Sequence, residues 1–208
     1  MGDKKYLNKE EVRQFLEGLQ TLKVRKISHK DLTLMFEALL FGSMRIGEVL
    51  QITPESLIGG CKIRLEETKG GWSNCKCSKW KYRPKRLEYS DKDCSKCLGV
   101  GRYRIPVEAW IDNQEIYNEL VELAKTKKPM QRLFAISRVT AWKYADQLKT
   151  RTHAFRHTFL TWMLETEKVD IRDIKQKARH TSLATTDRYI QNNPDLTIHK
   201  MKGLIDRV

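Results

Sequence analysis

The chain has 208 residues, 40% of them hydrophobic, and its 40 lysines and arginines against 26 acidic residues give a formal net charge of +14. This length suits one domain, or one domain with an insertion, and the apolar content is sufficient for a core. No apolar run could cross a bilayer and no signal peptide is recognised, so we expect a soluble, cytoplasmic protein without a membrane partner. The charge favours a polyanionic partner, although a basic but inert surface is equally consistent with charge alone.

Two helices are predicted in the first forty residues. Residues 6–19 carry an apolar stripe, with Asn8 as the candidate N-cap and Glu11 three residues on. Ser28 can cap a second helix, which Gly42 ends. Both helices are interpreted as core-packing elements.

A short third helix is predicted where the sequence reads SMRIGEVL, with Arg45 near its N-terminus. A helix N-terminus is positively polarised, so a phosphate would be favoured there. Glu48 could pair with Arg45 or orient it. Alone, Arg45 is more typical of a solvated surface arginine than of a phosphate ligand.

A β-hairpin is predicted next. Residues 61–67 alternate as a strand does, residues 68–71 form the tip, and residues 102–107 supply the second strand. The roughly thirty intervening residues are too many for an ordinary hairpin loop. We therefore interpret 72–101 as an inserted module.

Four of the five cysteines lie in this module, as the close pairs Cys75/Cys77 and Cys94/Cys97. Paired thiolates at short spacing are typical of a structural zinc site with tetrahedral geometry. The alternatives are unligated cysteines in a flexible loop, or a disulfide if the source is a hyperthermophile. Cys61 lies in the predicted strand and is interpreted as a buried apolar residue.

A basic segment, KWKYRPKR, separates the two cysteine pairs. A zinc site would stiffen this loop and hold its side chains outward, where they could contact DNA phosphates. A solvated basic loop is an equally good interpretation. The candidate DNA-binding residues are Lys79, Lys81, Arg83, Lys85 and Arg86.

Helices are predicted again at 113–126, after Ser137, and in the stretch from 151 to 191. That stretch brings His153, Arg156, His157, His180 and Tyr189 close in sequence. His153 and Arg156 are three residues apart and would share a helix face. His180 precedes Tyr189 by nine residues. Phosphoryl transfer through a covalent tyrosine needs these residue types: a nucleophile, cationic donors and an acid.

Three segments together resemble the boxes of tyrosine recombinases, which include phage-type integrases and Xer-like resolvases. They read MRIGEVLQI from residue 44, HAFRHTF from 153 and ARHTSLATTDRYI from 178. The resemblance covers nearly all of residues 1–208 apart from the cysteine insertion. It implies an α+β, mainly helical catalytic domain with a small β-sheet and an inserted zinc-binding loop.

The resemblance implies a role for each matching residue. Tyr189 attacks the scissile phosphate of double-stranded DNA and forms a 3′-phosphotyrosyl bond. Arg45 and Arg156 bind the nonbridging oxygens, and Lys69 protonates the 5′-oxygen leaving group. No ATP or catalytic metal is implied.

The remaining residues of the implied site support these four. His153 and His180 donate hydrogen bonds or shuttle protons. Glu48 supports Arg45, and His157 buttresses the site. The tail after residue 189 resembles a segment that docks on a neighbouring protomer, which implies a homo-oligomer on DNA, expected to be a tetramer; packing within one chain is the alternative.

The chain departs from the family pattern at three points. The family usually has Leu-Gly-His where this chain has Ala178-Arg179-His180, so Arg179 either contacts DNA or replaces a packing glycine. The insertion could reposition Lys69. No segment resembles the N-terminal clamping domain of the family, so we expect an excised catalytic fragment or a minimal enzyme, with weak, salt-sensitive and poorly specific DNA binding.

The sequence thus predicts a site-specific recombinase that integrates or excises a mobile element. Two alternatives stay open. One is a type IB topoisomerase-like enzyme, which would relax DNA by the same chemistry. The other is a zinc-containing DNA-binding regulator without catalytic activity.

Overall fold

The computed structural model of the protein describes residues 6–66, 72–75, 93–98, 100, 102–166 and 169–179. Helices predominate in these ranges, as the predicted fold class requires. The helices are α1 (Lys9–Leu19), α2 (His29–Phe41), α3 (Ile46–Val49), α4 (Gln114–Lys125), α5 (Arg138–Gln147), α6 (Thr152–Glu165) and α7 (Ile171–Ala178). The strands are β1 (Leu57–Gly59), β2 (Lys62–Leu65), β3 (Trp72–Asn74), β4 (Arg102–Arg104) and β5 (Val107–Trp110), and a 3₁₀ turn covers Pro54–Ser56.

The helix starts predicted from capping residues are confirmed. The Asn8 side chain accepts the Glu11 N–H and the Glu11 carboxylate accepts the Asn8 N–H, each at 2.8 Å. Ser28 and Ser137 accept backbone N–H groups at the starts of α2 and α5. Gly42 follows the last residue of α2 as its C-cap. Each cap satisfies a backbone group that the first or last helical turn leaves without a partner.

The core is built around α2 and α6, with α1 packed against them. Phe15, Phe36 and Phe155 come from these three helices, and their ring centroids lie 4.7–5.3 Å apart in edge or tilted contacts. The Leu7 N–H donates to Thr158 Oγ1 at 2.8 Å and ties the chain before α1 to α6. The packed core therefore fixes the ends of α2 and α6, from which the neighbouring segments of the chain continue.

The strands form two small sheets, of order β1-β2-β5 and β3-β4. The predicted pairing of 61–67 with 102–107 is wrong. The strand beside β2 is β5, whereas β4 pairs antiparallel with β3. Ile105 and Pro106 separate β4 from β5. Proline has no N–H for a ladder hydrogen bond, which divides the predicted strand into two.

Two compact units are distinguished by their internal contacts. One comprises residues up to Ile63 together with those from Ala109 onward, and the other is Arg64–Glu108. The second contains β3, β4, Cys75, Cys94 and Cys97. No helix among the described residues is both long and apolar enough to span a membrane.

A fully buried lysine fixes the end of α7. Lys177 Nζ donates to the carbonyls of Phe41 at 2.9 Å and Trp110 at 2.7 Å, and it forms an ion pair with Asp112. The ammonium also lies 5.0 and 5.1 Å from the ring centroids of Trp110 and Phe159. Burial lowers its pKa to about 8, although Asp112 acts in the opposite direction. Lys177 thus ties α7 to the ends of α2 and β5, two residues before Arg179.

Candidate active site

Arg45 and Glu48 form the first part of the site. Arg45 is the N-cap of α3, and its backbone N–H and Nη1 donate to the two carboxylate oxygens of Glu48, both at 2.8 Å. The Glu48 side chain is only 3% exposed whereas that of Arg45 is 29% exposed. The carboxylate therefore holds the arginine from inside and leaves part of the guanidinium accessible to a ligand.

Arg156 approaches the same segment from α6. Its guanidinium is buried, with 1% of the residue exposed, and Nη1 donates to the Ser43 carbonyl at 2.5 Å. Nη2 donates to the Ala178 carbonyl at the end of α7. These carbonyls carry no formal charge, so the positive charge of Arg156 is not neutralised by them. Two arginines far apart in sequence thus meet around the turn after α2.

Arg179 joins this cluster from the end of α7. Its Nη2 donates to Glu48 Oε2 at 2.7 Å and to the Ser43 carbonyl at 3.1 Å, and Nη1 donates to the Lys177 carbonyl at 3.1 Å. The side chain is 7% exposed. Of the two roles that the sequence left open, this geometry favours packing inside the protein, and the expected DNA contact has no support in it.

Glu48 is the carboxylate that these guanidinium groups share. Burial is the largest single influence and raises its pKa, but the charge of Arg179, the Arg45 N–H and the charges of Arg45 and Arg156 together outweigh it, so the pKa of Glu48 is lowered. Glu48 therefore stays ionised at neutral pH. With three guanidinium groups around one carboxylate, the cluster has an excess of positive charge, which suits an anion such as a phosphodiester.

His153 and His157 lie on α6 beside Arg156, as the predicted helical spacing requires. Their ring centroids are 4.5 Å apart and their planes are nearly perpendicular. Burial, followed by the positive charges of Arg156 and Arg45, lowers the pKa of His153, and Glu48 opposes this. His153 thus senses the electrostatic field of the arginine cluster and is neutral at pH 7 before a ligand binds.

The second unit brings three of the predicted zinc ligands together. The Sγ atoms of Cys75, Cys94 and Cys97 all lie within 4.8 Å of one another. Cys75 and Cys94 are separated by 3.6 Å, far more than the roughly 2.05 Å of a disulfide bond. A tetrahedral zinc–thiolate site with bonds of about 2.3 Å places its sulfur atoms roughly 3.8 Å apart. The three thiols therefore fit zinc. Cys61 is not part of this group and donates to Gln114 Oε1 at 3.1 Å.

Several predicted site residues lie outside the described ranges, so their positions are not compared with the prediction. They are Lys69, Cys77, His180, Tyr189 and the loop residues Lys79, Lys81, Arg83, Lys85 and Arg86. Two contributors were missed by the sequence reasoning. The Ser43 carbonyl has no sequence signal because every residue carries one, and Lys177 is one of many lysines in a basic chain.

Comparison with known proteins gives a family match and several structural matches. Residues 98–195 match the model described as the phage integrase family. No match was found among curated proteins. The structural matches include the catalytic domain of bacteriophage HP1 integrase, at 17% identity and a TM-score of 0.58, covering 89% of this chain and 86% of that one.

Two further matches are longer proteins. XerA recombinase has 17% identity and a TM-score of 0.63, over 95% of this chain but 64% of its own. The Tn1549 transposon integrase in complex with transposon right end DNA has 16% identity and a TM-score of 0.63, over 100% of this chain and 67% of its own. At this identity the matches establish the fold. Residues 98–195 therefore match the phage integrase family, and the chain shares the fold of these recombinase and integrase structures.

Proposed function

We propose that this chain cleaves and rejoins duplex DNA through a 3′-phosphotyrosyl intermediate. The observation that carries the proposal is the convergence of Arg45 and Arg156, from opposite parts of the chain, on the turn around Ser43. Glu48 orients the more exposed arginine, and His153 lies in the same electrostatic field. Such preorganised donors lower the energy of a phosphorane-like transition state because they need no rearrangement as negative charge develops.

In the proposed reaction the Tyr189 hydroxyl passes its proton to His180, its oxygen attacks phosphorus and the bond to the 5′-oxygen breaks. The tyrosine becomes the 3′-phosphodiester, and the leaving 5′-oxygen takes a proton from Lys69. Arg45 and Arg156 bind the nonbridging oxygens. The bond energy is retained in the phosphotyrosine, so a 5′-hydroxyl of another strand can reverse the step without ATP.

Histidine protonation is expected to follow DNA binding in this scheme. The pKa of free His153 is lowered by burial and by Arg156 and Arg45. A bound phosphodiester would offset part of that positive charge and favour the imidazolium form. His153 and His180 could then each donate a hydrogen bond to the phosphate, and His157 packs against His153 to hold its ring.

The biological substrate is proposed to be the end of a mobile element. The support comes from the likeness to integrases of a bacteriophage and of a transposon. Exchange of two duplexes requires four cleavages, so a homotetramer on DNA is the assembly that fits this reaction. The same chemistry on one duplex would relax supercoils, and an assay for relaxation of plasmid DNA distinguishes the two activities.

The cysteine cluster is proposed to hold one structural zinc ion, with Cys77 as the fourth ligand beside Cys75, Cys94 and Cys97. Three mutually close thiols support this proposal. When bound, zinc would crosslink the segments on either side of the basic loop. Metal analysis of protein purified without chelator should give about one zinc per chain; a ratio near zero would rule the site out.

The basic loop between the cysteine pairs is proposed to bind DNA phosphates. Its five basic residues are Lys79, Lys81, Arg83, Lys85 and Arg86. Each phosphate contact contributes roughly 0.9 to the slope of log affinity against log salt concentration. Replacing all five by glutamine should therefore lower that slope by several units. An unchanged slope would show that these residues face solvent and do not contact phosphates.

Covalent trapping tests the central proposal. The protein is incubated with nicked duplexes that carry random sequence around the nick, so that the cleaved strand diffuses away, and denaturing gels detect a protein–DNA adduct. Wild-type protein should form the adduct and Tyr189→Phe should not. Tyr144→Phe is the matched control, because it removes one hydroxyl that accepts the Arg25 N–H and should leave the adduct intact.

The leaving-group role of Lys69 has a sharper test. Lys69→Ala should lose cleavage of an ordinary phosphodiester by about a hundredfold or more. A 5′-bridging phosphorothiolate leaves as a thiolate without protonation, so it should restore cleavage by the variant. Equal loss on both substrates would show that Lys69 has another role.

A further inference from the structure

Arg179 stands out because its backbone adopts a conformation that favours glycine. Its φ and ψ are 53° and 42°, in the left-handed region, where a side chain is strained. Ser43, whose carbonyl it binds, also has a positive φ of 45°. Strained residues persist where the surrounding contacts hold them in place, and they concentrate at functional sites. The position thus carries an arginine although glycine would fit the backbone better.

The Arg179 guanidinium is linked to both other arginines through shared acceptors. Nη2 reaches Glu48 Oε2, while Glu48 Oε1 accepts from Arg45 Nη1. The same Nη2 donates to the Ser43 carbonyl, which also accepts from Arg156 Nη1. One carboxylate and one carbonyl therefore couple the three guanidinium groups. Arg179 thus holds Oε2 together with the Arg45 N–H and further restricts rotation of the Glu48 carboxylate away from Arg45.

We propose that Arg179 is a positioning residue for the scissile phosphate that acts through Glu48. It fixes the carboxylate that orients Arg45 and adds buried positive charge without touching DNA. This inference rests on the proposed function, and it replaces the DNA contact expected from the sequence. It also explains why an arginine occupies a left-handed position: its interactions with Glu48 and Ser43 offset the backbone strain.

The test compares Arg179→Gly, which relieves the backbone strain, with Arg179→Lys, which keeps a charge but lacks the planar fork. Single-turnover adduct formation is measured at increasing DNA concentration. We expect the rate at saturating DNA to fall by about tenfold to hundredfold in the glycine variant, the range seen when an orienting partner is removed. The lysine variant should recover part of that rate, and the apparent Kd should change by less than about threefold. Arg172→Ala, on the exposed side of α7, is the control and should match wild type.

Two alternative roles give different results. A DNA contact would raise the Kd and lower the salt slope by about one, with the saturated rate unchanged. A purely structural role would lower stability and leave the saturated rate unchanged well below the melting temperature. Either result would overturn the proposal.

A double-mutant cycle separates this inference from the proposed function. Glu48→Gln and Arg179→Gly should be non-additive, so the double variant should cleave no more slowly than Glu48→Gln alone. If wild-type protein forms no adduct, the proposed function fails. The same double-mutant cycle is then measured on the unfolding equilibrium constant, which reports the interaction between Arg179 and Glu48 without any DNA. A coupling of about tenfold is expected. Additive effects in the cycle would refute the link between Arg179 and Glu48.

Discussion

The buried ammonium of Lys177 gives the most quantitative prediction for the fold. Its pKa falls from 10.5 to about 8 because burial disfavours the charged form more than Asp112 favours it. Between these values the unfolded chain binds the proton and the folded chain does not, so stability rises as pH increases. At about 1.4 kcal/mol per pH unit, the full difference is about 3 kcal/mol, most of which appears between pH 7 and pH 10.

Urea unfolding of wild type and Lys177→Met at pH 7, 8, 9 and 10 tests this value. Methionine has a similar length and no charge, so the variant should lack the gain in stability that wild type shows as the pH rises. The free-energy difference between the two proteins should therefore shift by about 2 to 3 kcal/mol in favour of wild type as the pH rises. Comparing the two proteins cancels the titration of the other lysines, tyrosines and cysteines. Parallel pH profiles would show that folding does not lower the pKa of Lys177, and the reasoning would be wrong.

Three other substitutions test single contacts. Asn8→Ala removes the cap that accepts the Glu11 N–H and should lower the free energy of unfolding by about 1 kcal/mol; no change in urea unfolding would contradict the cap's role. Cys94→Ser should lose zinc and lower the melting temperature, whereas Cys61→Ser should keep the metal; equal metal content in both would refute the cluster. Because folding lowers the pKa of His153, the protein loses stability as the pH falls below 6.5 and the unfolded chain binds the proton more readily. His153→Gln should therefore flatten the plot of unfolding free energy against pH between pH 7.5 and pH 5.5. An unchanged slope would contradict this.

The helices were predictable because their signals are local. Asn8, Ser28 and Ser137 each cap a helix within three residues, and Gly42 ends one, so a short window of sequence contains the information. The strand pairing was not predictable from a short window of sequence, because β2 and β5 lie about forty residues apart. The break at Pro106 separates β4 from β5, and it is β5 that lies beside β2. Local alternation could not distinguish β4 from β5.

The candidate site also contains residues that the sequence could predict and one whose direction it could not. His153 and Arg156 were placed on one helix face from their spacing, Arg45 and Glu48 were added by the resemblance to tyrosine recombinases, and the structure brings these side chains together. The inward direction of Arg179 was not predictable, because it depends on a left-handed backbone and on a contact 131 residues away in sequence. A basic residue beside a candidate catalytic histidine is typical of a DNA contact, and only its burial against Glu48 indicates otherwise.

The most direct test of the central claim is identification of the residue that becomes attached to DNA. The adduct is digested with nuclease and protease, and mass spectrometry locates the remaining nucleotide among the 7 tyrosines of the chain. The account predicts a 3′-nucleotide on the peptide that contains Tyr189 and on no other. A nucleotide on a different residue, or no adduct with DNA that the protein demonstrably binds, would contradict it.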